Sequence, residues 1–153
     1  MKSLKENKIF KLDKNGLSLA FFIKKKNFLI TKKIISDLEK FSKKNNNTDV
    51  RICMHLSKRS KMQNMINIIH KKNFTTRPHK HLHKEEIYHL IKGKMKIEYF
   101  IKKKKFTAIL EKNFNIFRMS KNTYHNIIPL SKMIIFHEIR EGPFKKTDSI
   151  FKK

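Results

Sequence analysis

Residues 77–93 read RPHKHLHKEEIYHLIKG. His79 and His81 stand two apart, so on a β-strand both side chains leave the same face and can aim at one point. Glu86 has the wrong parity to join them on one continuous strand. It reaches that point only if the chain turns within residues 82–85 and returns as the next strand, which Gly93 then closes. Two imidazoles and a carboxylate converging in this way suit a borderline-hard divalent metal such as Fe, Mn, Ni, Zn or Cu. A further ligand is expected downstream, and His125 in MSKNTYHNIIP (119–129) is placed to supply it.

The neighbouring candidates sort by parity and spacing. His83 shares a face with His79 and His81, but a pair at 81 and 83 leaves too few residues before Glu86 for the turn. His83 is therefore expected at the mouth of the site or in solvent. Glu86, not Glu85, alternates with Tyr88 and Leu90, and His89 faces the other way. Tyr88 and Tyr124, beside the ligands, are candidate walls of a ligand pocket. Arg77 lies two before His79 and has two readings. It either grips the carboxylate or phosphate of a bound ligand or forms a salt bridge with Glu138 or Glu141. The direction in which Glu138 points stays open. Cys53 reads as a packing residue.

Working outward, residues 51–140 form many short alternating segments separated by turns, which indicates an all-β jelly-roll barrel. Strands are expected at Arg51–Leu56, Ile66–His70, Thr75–His81, Ile87–Ile91, 94–100, Phe106–Leu110, Ile116–Met119, His125–Ile128 and Met133–Arg140. The stretch 57–65 reads as a loop or a single turn, and Lys102–Lys105 as a hairpin tip. Before the barrel, Leu17–Ile23 and Asn27–Ile30 are candidates for a short hairpin or an added edge strand, preceded by the turn signal Asn15-Gly16. Thr31 is a good N-cap, and Ile34, Ile35, Leu38 and Phe41 make one apolar stripe on a helix of about three turns. The helix stops at Asn45-Asn46-Asn47. The expected organisation is an N-terminal extension with short strands and one helix (1–50), the barrel (51–145) and a basic tail (146–153).

The chain has 153 residues, room for one well-filled core, and a single cysteine, which excludes an internal disulfide. The longest apolar run is too short to span a membrane. Lys2, Lys5 and Lys8 imitate a signal-peptide start, but Asp13 and the lack of a small-residue cleavage site argue for a cytoplasmic protein. The net charge of +26 admits a polyanion-binding reading. The lysines are nevertheless spread along the whole chain, and Lys, Asn, Ile and Phe abound while alanine is confined to Ala20 and Ala108. That bias fits AT-rich codon drift, and no specific nucleic-acid partner is expected.

The order His79-x-His81, Glu86, Gly93 and a later His125 resembles the two motifs of the cupin superfamily. Ser120 and Asn122 stand where its second motif usually has Pro and Gly. RICMHLS (51–57), MINII (65–69) and EIREGPF (138–144) make the chain similar, over residues 28–146, to the WbuC-type cupin metalloproteins, which are often associated with surface-polysaccharide gene clusters. Lys84 matches a lysine of that family but reads more readily as an exposed turn charge. The resemblance implies a cupin barrel with an N-terminal helix and a divalent metal (Fe, Mn, Zn or Ni) on His79, His81, Glu86 and His125. It also implies a small-molecule ligand of sugar or polysaccharide-precursor type, with a homodimer as the candidate assembly. An isomerase or oxygenase-type activity is one reading. A non-catalytic binding module, a metal-free sugar-nucleotide isomerase or epimerase with His79 as base, and a nucleic-acid binder are the others.

Overall fold

In the computed structural model, which describes residues 8–15, 18–112 and 115–152, the chain opens with strands β1 (Phe10–Asp13) and β2 (Leu19–Ile23). Gly16, Lys2 and Lys5, named above, lie outside the described residues. Helix α1 (Lys32–Lys44) follows, with the Thr31 hydroxyl accepting from the Ile34 N–H at its start. The Asn45 side chain donates to the Phe41 carbonyl at its end, satisfying one of the groups a helix terminus leaves open. Then come β3 (Val50–Cys53), β4 (Met62–His70), a 3₁₀ turn at Lys71–Asn73 and the short β5 (His79–Lys80). The barrel continues with β6 (Glu86–Lys92), β7 (Met95–Ile101), β8 (Lys104–Leu110), β9 (Ile116–Met119), β10 (Tyr124–Pro129) and β11 (Met133–Glu141). A second 3₁₀ turn at Lys146–Asp148 leads to β12 (Ile150–Phe151).

Two sheets result, one ordered β1-β2-β3-β4-β11-β6-β9 and the other β12-β5-β10-β7-β8. All pairings are antiparallel except that between β2 and β3. The larger sheet is covered on both faces, which explains why β11 reads MIIFHEIRE instead of alternating. Ile134 and Phe136 point inward, with Tyr88, Leu90, Met95, Ile97, Leu110 and Met119, into the core between the sheets. Ile135 points outward and packs with Ile66 and Ile68 beneath Leu38 and Phe41 of the helix and Phe10 and Phe21 of the N-terminal strands. The helix therefore roofs one half of the larger sheet. Further along β11 the inward positions become Glu138 and Arg140, so the barrel interior passes from an apolar end to a polar one. The polar end carries the site.

Several local expectations change. Residues 27–30 are not a strand, and β2 takes its partners from β1 and β3 instead. The stretch expected as a loop at 57–65 already enters β4 at Met62. The strand expected over 75–81 shrinks to His79–Lys80, because Pro78 has no N–H to offer a ladder. The hairpin tip is confined to Lys102 and Lys103, both at positive φ. At the β6–β7 turn Gly93 has φ +92, and a Cβ there would meet the Met133 carbonyl at 2.6 Å, so the motif's glycine is required twice over. Among the described residues no helix is long and apolar enough to cross a membrane.

Candidate metal centre

The turn at 82–85 does bring Glu86 back towards the two histidines, and the topology adds His125. Strand β10 lies between β5 and β7, with His125 directly opposite His79 on one side and Tyr99 on the other. The turn that aims His125 departs from the resembled motif, yet Asn122 adopts φ +57, the left-handed conformation a glycine would favour and asparagine tolerates. Its N–H donates to the His81 carbonyl (2.6 Å) and its side chain accepts from Lys80, which ties the turn to β5. One ligand atom from each of His79, His81 and His125 lies within 4.8 Å of the others. Glu86 faces them from the larger sheet, its two oxygens 2.9 Å from His125 Nε2 and 3.3 Å from His81 Nε2. The four residues thus bridge the two sheets at one end of the barrel. His81, Glu86 and His125 are buried and His79 half-buried.

Whether this set suits a metal ion is decided by the far nitrogens. His79 Nδ1 lies 3.2 Å from the Arg77 carbonyl, His81 Nδ1 3.0 Å from the Asp148 carbonyl, and His125 Nδ1 2.9 Å from the Thr123 carbonyl. A carbonyl can only accept, so each Nδ1 carries a proton and each ring turns its Nε2 towards the cluster. The three Nε2 atoms converge, and although burial opposes charge on His81, the Glu86 carboxylate beside its Nε2 raises its pKa. Second-sphere acceptors that fix the tautomer are what metal-binding imidazoles require. The donor set fits a divalent ion of the Fe, Mn, Zn or Ni kind, with Glu86 as the carboxylate ligand.

Glu86 is itself held. The Tyr88 hydroxyl donates to Glu86 Oε2 (2.6 Å) and lies 3.2 Å from His125 Nε2. Arg140 approaches from β11, its Nη1 3.8 Å from Glu86 and 3.6 Å from Glu138, while its Nε donates to Gln63. Asn67 donates to the other oxygen of Glu138. Burial opposes ionisation of Glu86, but the His125 and His81 contacts outweigh it and hold the carboxyl well below the usual carboxylate range. For Glu138 burial prevails, and its pKa is raised. Sequence reasoning did not single out Arg140. The signal was the parity of β11, since Ile134 and Phe136 face the core and positions 138 and 140 share their face.

Other candidates fall outside the cluster. Arg77 is exposed and precedes β5; its guanidinium lies over the Phe151 ring (4.3 Å), and among the described residues it pairs with neither Glu138 nor Glu141, so the salt-bridge reading does not hold. Tyr88 is buried, with its hydroxyl against Glu86 and His125. Tyr124 leaves β10 on the face opposite His125, with Lys80 over its ring (4.9 Å). His83 is exposed, and Glu85 sits in the turn, paired with Arg118. Lys84 is no free turn charge: its ammonium bonds the Asp148 carboxylate and the Pro143 carbonyl. Cys53 is buried, and desolvation pushes its thiol up to about 11, in keeping with packing.

The electrostatics carry a pH signature. Burial, reinforced by His125, lowers the His79 pKa from 6.5 to about 4. Between these values the unfolded chain binds a proton that the folded site refuses, so stability falls as pH drops through that window. Desolvation lowers His55, His70 and His137 in the same direction. Chelator-treated wild type should lose more stability between pH 6.5 and 4 than a His79→Gln variant, by at most about 3 kcal/mol. Urea titrations at the two pH values check this, and equal losses would contradict it.

The fold has relatives among solved structures. The capsular polysaccharide assembling protein CapF from Staphylococcus aureus superposes with a TM-score of 0.57 at 16% identity, over 69% of this chain and 32% of its own. The WlaRB TDP-quinovose 3,4-ketoisomerase from Campylobacter jejuni matches with a TM-score of 0.50 at 16% identity, over 57% and 68% of the two chains. Oxalate decarboxylase from Lactobacillus farciminis, in its formate complex, also reaches 0.50, at 18% identity over 60% of this chain and 27% of that one. These likenesses establish the cupin-type fold; the chain spans only about a third of the CapF length. No curated protein matches the sequence significantly. Residues 30–111, more than half of the chain, match the family described as Domain of unknown function (DUF6016), and the chain belongs to that family.

Proposed function

We propose that this protein is a divalent-metal cupin of WbuC type that holds its ion on His79, His81, His125 and Glu86 and binds a sugar or sugar-nucleotide precursor of a surface polysaccharide there. One observation carries the metal reading: three imidazoles, each held through Nδ1–H by a backbone carbonyl, turn their Nε2 atoms towards one another and towards the Glu86 carboxylate. The ligand class draws support from the polysaccharide and sugar-nucleotide chemistry in the names of CapF and the ketoisomerase.

A bound ion of this kind supplies Lewis-acid polarisation of a carbonyl or hydroxyl oxygen. The chain's own residues do the rest. Tyr88 and Arg140 fix the direction of the Glu86 carboxylate, and the buried walls keep water from His81 and His125. His79, half-buried and neutral at pH 7, is the least buried of the three histidines. The same feature favours one alternative, in which His79 acts as a base in a metal-free isomerisation or epimerisation. The test is titration of the cobalt(II)-loaded protein with nucleoside-diphosphate hexoses while the visible ligand-field bands are followed. A saturable shift of the bands is expected. Turnover that survives exhaustive chelation would favour the metal-free alternative, and no response to any such sugar would remove the ligand class.

A further inference from the structure

The three histidines differ in where their Nδ1 acceptors come from. Arg77 lies two residues before His79, and Thr123 two before His125, so each of these rings is fixed by its own strand. The acceptor for His81 is the Asp148 carbonyl, 67 residues further along the chain. The residues around Asp148 were expected to be a basic tail, but they form a strap across the site. Ile150 and Phe151 pair with Lys80 and His79 as β12, and the Lys152 N–H donates to the Pro78 carbonyl (2.8 Å). The Phe151 ring lies 6.0 Å from the His79 ring and beneath the Arg77 guanidinium, while Lys152 Nζ sits 3.6 Å above Phe100. At the head of the strap the Asp148 carboxylate accepts from the Lys145 N–H (3.1 Å) and is gripped by the Lys84 ammonium, which also bonds the Pro143 carbonyl. The Lys84 side chain is 14% exposed and that of Asp148 23% exposed, so this ion pair is largely sheltered from water.

We infer that the carboxy-terminal strap, residues 145–152, is a working part of the metal centre: its Asp148 carbonyl sets the tautomer and aim of His81, and the Lys84–Asp148 ion pair is the latch that holds it there. The inference rests on the metal reading above. The chemistry is that of a second-sphere acceptor. With the carbonyl in place, His81 must carry its proton on Nδ1 and offer Nε2 to the ion. Without it, Nε2 can take the proton and donate to Glu86, which occupies both a ligand lone pair and a ligand carboxylate. Lys84 and Asp148 are positioning residues, since neither side chain reaches the converging nitrogens. Arg77 has a role in the same device, clamping Phe151 over His79.

The experiment uses the full-length chain with Lys84→Met, Lys84→Arg and the charge-swapped pair Lys84→Asp/Asp148→Lys. Two readouts are taken: zinc titration against a competing chelator, and long-range ¹H–¹⁵N spectra of the imidazoles in the metal-free state. Recorded at a pH where the rings are neutral, wild type should show His79, His81 and His125 all as Nδ1–H tautomers. In Lys84→Met, His81 alone should move towards the Nε2–H form, with roughly 10–100-fold weaker zinc binding, the usual cost of losing a second-sphere partner. Lys84→Arg and the swapped pair should recover both signals, which a generally loosened fold would not do. A Lys84→Met protein with wild-type zinc affinity and an unchanged His81 tautomer would overturn the inference, as would equal tautomer changes at all three rings. Should wild type bind no zinc, the metal reading fails, and the imidazole spectra still decide whether the strap controls His81.

Discussion

His125→Ala should abolish tight metal binding, while His83→Ala leaves it unchanged. His125 contributes one of three converging nitrogens, and it also contacts Glu86 at 2.9 Å and the Tyr88 hydroxyl at 3.2 Å. Its loss opens the coordination sphere and frees the carboxylate that faces it. The drop should exceed the roughly 10–100-fold cost of removing a second-sphere partner. His83 is exposed beyond the turn and offers the cluster nothing. Competition titrations with a chromogenic chelator read both variants. Comparable losses would mean that HKHLH acts as a general metal-sticky tract and not through a built site.

The largest effect on stability should come from Arg140→Met. The Arg140 side chain is 15% exposed, and its guanidinium stands between two inward-facing carboxylates, those of Glu86 and Glu138. Removing one partner of a buried charge network costs about 3–5 kcal/mol. The separations of 3.6 and 3.8 Å and the residual exposure argue for the lower end, about 2–3 kcal/mol after this discount. For a chain of this size that corresponds to a melting temperature lower by roughly 5–10 °C. The deficit should shrink on acidification. Burial already raises the Glu138 pKa, and without Arg140 it would rise further, so protonation relieves the unpaired charge first at that residue. Thermal melts at pH 7 and pH 5 check the size and the trend. A variant that melts with wild type would show that the arginine is incidental.

Parity and spacing made much of this legible beforehand. His79 and His81 on one face, a return strand carrying Glu86, a glycine at the turn and a later histidine all correspond to features of the structure. So do the Thr31 cap and the extent of the helix, because capping and a 3.6-residue stripe are local properties. The failures are non-local. Nothing within residues 10–13 announces that they, and not 27–30, will pair with β2. The strap at 145–152 is short and basic, and only the tertiary positions of β5 and Lys84 turn it into a strand with a latch. Arg77 was weighed against glutamates because charge suggested charge, whereas an aromatic ring in the final residues became its partner. Asn122 is the opposite case: it stands where the resembled motif has Gly, yet it tolerates the required positive φ and its side chain ties the turn to Lys80.

The most direct test of the central claim is an anomalous difference map from crystals of the protein purified without chelator, with data collected on both sides of the metal absorption edges. The account predicts one peak per chain at coordination distance, about 2.0–2.2 Å, from the Nε2 atoms of His79, His81 and His125, with a Glu86 oxygen completing the set. A map without a peak there after reconstitution, or with its strongest peak at the exposed His83, would contradict it.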